Sequence, residues 1–179
     1  MKVTNVYQAG GNLSFAHGSL VPMLSGTLSL LDPSGLGGWS GLPFRGKQSQ
    51  YFTVLTGYRT CRGSIASSSL GSTFHCVYTH IKATGNKHPD PRKAFFNDIT
   101  ILITSLQAHE HPVLIMMDAN PTLSDDSFLE MLTTCQLQQD LQASSPAKST
   151  YMGFSNRQIN YMLGCSRVAL SMKQQGTLL

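Results

Sequence analysis

Asp118 and Asn120 follow directly on the run Val113-Leu114-Ile115-Met116-Met117, and their types and spacing are the chain's clearest chemical signal. The apolar run is too short for a helix of its own and fits a strand covered on both faces. A buried strand ending in Asp-Ala-Asn brings a carboxylate and an amide to the open mouth of a sheet, where a ligand can enter. An ionised Asp118 could take a proton from water or bind a divalent cation. Asn120 could hold a phosphoryl oxygen or orient that water, the division of labour that metal-assisted phosphodiester hydrolysis requires. The same Asp-x-Asn is also a common turn opener, so the pair alone leaves both readings open.

The elements that must position this pair can be read from periodicity and punctuation. Gly41 to Tyr58 reads as a hairpin around Gly46-Lys47-Gln48-Ser49, with Tyr51, Thr53 and Leu55 alternating with Phe52, Val54 and Thr56. Upstream, Asp32-Pro33-Ser34-Gly35-Leu36-Gly37-Gly38 strings turn formers together before Trp39, which marks a loop entering a strand. Gly63 to Gly71 is Ser-rich and predicts a mobile loop, and Thr73 to Ala83 is a candidate helix. Asp90-Pro91-Arg92 opens the strongest helix, with an acceptor before a proline in the first turn. Phe95, Ile99, Leu102, Ile103 and Leu106 form its apolar face, which must pack on a sheet, and Pro112 ends it. A further helix is expected from Asp126 or Ser127 to about Cys135, with Ser127 and Glu130 at capping-box spacing. Ser149 to Phe154 and Gln158 to Leu163 read as strands.

The bulk properties narrow the class. A chain of 179 residues fits one domain with a real core, here spanning 1–179. Hydrophobic residues make up 41% and charged residues only 12%, so solubility is a concern. A formal charge of +4 fits a phosphate-bearing partner without requiring one. The cysteines at 61, 76, 135 and 165 form no C-x-x-C pair, which argues against a zinc ribbon or disulfide scaffold. No apolar stretch resembles a signal peptide or a membrane span, so the expectation is an intracellular product, cytoplasmic or nuclear, not secreted and not in a membrane.

Several segments occur in an order that adds to the Asp-Ala-Asn signal. Tyr7-Gln8-Ala9-Gly10-Gly11, Asp32 to Ser40, Leu55-Thr56-Gly57-Tyr58-Arg59-Thr60-Cys61, Asp90-Pro91-Arg92, Met116-Met117-Asp118-Ala119-Asn120 and Arg157-Gln158-Ile159-Asn160-Tyr161-Met162-Leu163-Gly164 together resemble the endonuclease/exonuclease/phosphatase superfamily, in particular its divergent, retroelement-endonuclease-like members. The resemblance runs over nearly the whole chain. It implies an α/β fold, an incomplete version of the family's sandwich of two β-sheets flanked by helices. It also implies a divalent-metal-dependent phosphodiesterase or endonuclease site acting on nucleic acid with Mg2+ or Mn2+. Asp118 would match the family's catalytic aspartate and Asn120 its partner asparagine. Tyr58 would match a phosphate-contacting position, while Arg92 and Arg157 would bind substrate. Asn160 would stand where the family usually has an aspartate.

The departures bear on activity. An asparagine at 160 cannot supply the negative charge that orients a catalytic histidine or helps hold a metal-bound water, though it keeps the size and one acceptor oxygen. The family's metal-binding Glu would precede Tyr7, where only six residues lie, and its Ser-Asp-His strand would follow Gly176, close to the last residue, Leu179. The expectation is therefore a partial domain, truncated at both ends, with weak metal binding and little or no hydrolysis. The alternative is a non-catalytic remnant that binds nucleic acid or protein, with self-association through exposed sheet edges. Arg59, Arg62, Lys82, Lys87, Arg92 and Lys93 could form a basic rim for phosphates, or be scattered solvated charges. His75, Cys76 and His80 could meet on one helical face as a soft-metal site, or simply pack.

Overall fold

A computed structural model of the chain describes residues 11–25, 30–32, 34–46, 50–61, 72–119, 125–138 and 160–165. Their strands are β1 (Leu30–Leu31), β2 (Trp39–Arg45), β3 (Tyr51–Tyr58), β4 (Val113–Asp118), β5 (Leu137–Gln138) and β6 (Asn160–Cys165). Helices α1 (Thr73–Ala83), α2 (Pro91–Ala108) and α3 (Asp126–Thr134) lie between them, and a 3-10 helix covers Gly18–Met23. The class is α/β. Of the two sheets expected, the described residues form one, six-stranded and ordered β1-β2-β3-β4-β6-β5. The hairpin β2–β3 joins the central strand directly, because β3 and β4 pair in parallel while every other pairing is antiparallel.

That parallel pair needs a crossover, which α1 and α2 supply. Asp90 caps α2 as its sequence predicts, its carboxylate accepting from the Arg92 and Lys93 amides ahead of Pro91 in the first turn. Phe95, Phe96, Ile99, Ile103 and Leu106 are buried along the helix and meet Leu55, Val113, Ile115 and Met117 from the strands. An aromatic chain extends this core sideways. Phe96 lies 5.6 Å from Phe128 of α3, and Phe128 lies 4.9 Å from Tyr161 of β6, ring centre to ring centre.

The opposite face of the sheet differs from expectation. The apolar run predicts a strand covered on both sides, yet the residues of β4 alternate, with Val113, Ile115 and Met117 buried, Leu114 half-buried and Met116 37% exposed. Among the described residues, α1, α2 and α3 sit on one face. On the other, Ser14 crosses from the N-terminal side and bonds to Ser40 and Thr56 at 2.8 and 3.0 Å. α3 starts where the sequence places it, but its N-cap is Asp125, without a side-chain cap bond, and not a Ser127–Glu130 box. The Asp125 carboxylate is engaged elsewhere, with Arg59. The turn residues 47–49, the whole of the expected mobile loop 63–71 and the expected strand Ser149 to Phe154 lie outside the described residues.

Candidate functional site

Three of the residues singled out from the sequence fall on one row across the sheet. Tyr58 ends β3, Asp118 ends β4 in parallel register with it, and Asn160 begins β6 antiparallel to Asp118. Residues paired directly across strands project to the same face, so Tyr58 and Asp118 open on the face opposite α2. Asn120 and Arg157 lie outside the described residues. Arg92 stands apart from the row, in the first turn of α2, where its Nη1 donates to the Thr60 carbonyl at 3.0 Å.

Electrostatics follow from this half-buried position at the sheet's end. Burial raises the Asp118 carboxyl above the usual carboxylate range. Burial, then the Cys61 thiol beside it, then the Asp118 charge raise the Tyr58 phenol above its ordinary value. Tyr58 is therefore a neutral hydroxyl near pH 7, able to donate to an anionic oxygen. Burial and the neighbouring Arg59 charge lower Arg92, which stays a cation because a guanidinium titrates far above neutrality.

Arg59 does not belong to the basic rim for which the sequence makes it a candidate, whereas Lys82, Lys87 and Lys93 are exposed and Arg62 lies outside the described residues. Arg59 is only 3% exposed, and its Nη1 donates to Asp125 Oδ2 at 2.8 Å and to the Ala119 carbonyl at 3.4 Å. Its Nε donates to the Arg92 carbonyl at 3.2 Å, and its guanidinium lies 4.3 Å from the Phe96 ring centre. The Arg59 backbone amide also donates to the Asp118 carbonyl at 2.8 Å. One side chain thus ties the ends of β3 and β4 to the first turns of α2 and α3. The signal for it was present in the sequence: an arginine directly after a strand, in a region almost without charge, and an Asp125-Asp126 pair at a helix start. Its partner could not be read from either segment alone.

No group of three or more His, Cys, Asp or Glu able to hold a metal ion occurs among the described residues, the His75, Cys76 and His80 set included. At the row itself, Asp118 is the only carboxylate that the described residues supply. One half-buried carboxylate is short of the oxygen set a hard divalent cation takes from a protein, so these residues by themselves do not make a metal centre.

No family model matches the sequence, and no curated protein matches it. In structure the chain is similar to the human Nocturnin catalytic domain with bound sulfate anion, with 12% identity and a TM-score of 0.45 over 72% of this chain and 41% of that one. It is also similar to a beta hairpin deletion mutant of beta toxin from Staphylococcus aureus, with 16% identity and a TM-score of 0.41 over 72% of this chain and 44% of that one. Both have folds of the endonuclease/exonuclease/phosphatase type. The chain spans less than half the length of either. Among the described residues, no helix is long and apolar enough to cross a membrane.

Proposed function

We propose that this chain carries a degenerate phosphodiesterase-type site, which engages the phosphodiesters of nucleic acid with little or no hydrolysis. The observation that carries the reading is the row Tyr58, Asp118 and Asn160, one residue from each of three adjacent strands at the sheet's end. The Tyr58 hydroxyl would donate to a phosphoryl oxygen. Asp118, with its carboxyl raised by burial, would accept a proton from a bound water more readily than an ordinary surface carboxylate. At position 160 an amide replaces the charge that the resemblance leads one to expect, so that strand adds no second anion to Asp118. Mg2+ or Mn2+ binding is expected to be weak for the same reason. The second reading, a non-catalytic remnant that binds nucleic acid or a protein, is favoured by that asparagine alone.

Nicking of supercoiled plasmid with Mg2+ or Mn2+, against a chelator control and Asp118→Ala, tests the hydrolytic part. The expected result is no metal-dependent nicking above the variant. Nicking that requires the metal and vanishes in Asp118→Ala would show a working enzyme. Binding of the same plasmid should weaken steeply with salt, as phosphate contacts require. Failure to bind DNA even at low salt would remove the nucleic-acid reading.

A further inference from the structure

Beyond the Tyr58 end of β3, Asp32, residues 34–39, α1 and α2 line a partly open cavity of about 310 Å3. That volume lies at the small end of the range for small-molecule sites. Trp39, Val77, Ile81 and Phe95 give it apolar walls, and Asp32 and Asp98 are the acidic residues that line it among those described. Among the described residues no lysine or arginine lines it, although the chain carries 13 Lys and Arg against 9 Asp and Glu. The local charge is thus opposite to that of the whole protein.

Neither carboxylate is neutralised by a cation among the described residues, where Arg59–Asp125 is the ion pair found. Asp32 is held by neutral donors: the Ser34 amide and hydroxyl at 2.9 and 2.6 Å, and the Gly38 amide at 2.8 Å. These bonds fix its position without cancelling its charge. Asp98 follows Phe95 by three residues, on the same side of α2. Burial first and the Asp32 charge second push its carboxyl above the usual range, while His80 acts the other way.

A third observation is independent of the acids. Thr60, also in the lining, is 7% exposed, and its buried hydroxyl has no hydrogen-bond partner among the described residues. Such orphans are uncommon and call for an explanation. An anion would meet two carboxylates here, and a wholly apolar molecule would leave both acids unmatched.

We propose that this cavity binds a small organic amine with an aromatic or cyclic apolar body, its ammonium facing Asp32 and Asp98 and its body lying between Trp39, Ile81 and Phe95. The site is distinct from the phosphodiester reading in ligand charge and stands or falls separately from it.

Calorimetric titration of the intact chain with phenethylamine and with phenethyl alcohol, at neutral pH, tests the proposal. The two share a skeleton and differ in charge. The amine should bind about tenfold more tightly, the preference a charge-assisted contact confers. Asp98→Asn, an exposed and nearly isosteric change, should cut that preference to about threefold or less and leave alcohol binding unchanged, Asp32 supplying what remains. Ala94→Phe should fill the cavity and abolish both, with circular dichroism confirming the fold. Equal binding of amine and alcohol, an unaltered preference in Asp98→Asn, or no binding of the amine to the wild-type chain would each overturn it.

Discussion

Replacing Arg59 by methionine should destabilise the protein by roughly 3 kcal/mol, because it strips the partner from a carboxylate that folding has already removed from most of its water. The Arg59 and Asp125 side chains are 4% and 19% exposed, and their contact is 2.8 Å. Breaking a fully buried pair costs about 3–5 kcal/mol, and the residual access of Asp125 to solvent places this pair at the lower end. The Ala119 and Arg92 carbonyls lose a donor in the same step. For a chain of this size the loss corresponds to a fall of about 6–12 °C in Tm. Trp39, the single tryptophan and 8% exposed, supplies the fluorescence signal for urea unfolding. Asp125→Asn should cost less, about 1–2 kcal/mol, since an acceptor oxygen remains for the guanidinium. Replacing both partners with apolar residues of similar size should recover much of the loss. A cost below about 1 kcal/mol for Arg59→Met would match a solvated surface pair and refute the clamp.

Two further outcomes follow from packing. Gly41→Ala should destabilise by about 1–3 kcal/mol in the same urea assay, because a Cβ there would run into the Leu55 side chain and crowd the Val54 carbonyl and Leu30; an unchanged midpoint would mean that Leu55 is free to swing aside. Among the thiols, exposed Cys61 should alkylate first, whereas Cys135, wholly buried and pushed up to about 11, should react only as fast as the protein opens. Time-resolved mass spectrometry with iodoacetamide distinguishes them, and equal labelling rates would contradict the burial of Cys135.

Local physical chemistry was legible along much of the chain. Asp90 before Pro91 and Arg92 specified a helix start through a side-chain acceptor and a preset φ, and α2 begins there. The apolar run from Val113 specified a strand ending at Asp118, and the alternation after Tyr51 specified its neighbour, because a strand's two-residue period is written in consecutive side chains. The two-residue strands β1 and β5 carried no such signal, since a pair of residues is too short to show a period. Covering the other face of β4 was equally beyond local information, because an apolar run does not record which of its faces the helices will take.

The tertiary structure decided what depends on residues far apart in the chain. That Tyr58, Asp118 and Asn160 share one row required the register of β3 on β4 and of β6 on β4, which only the assembled sheet sets. That Arg59 serves as a buried clamp and not as a rim cation required Asp125 to arrive beside it from α3. The acidic cavity likewise needed the packing that brings Asp32 and Asp98 of α2 together. Residue type and spacing state which chemistry each side chain can perform. Which partner it meets, and how much water remains around it, is set by the long-range packing that brings separate segments into contact.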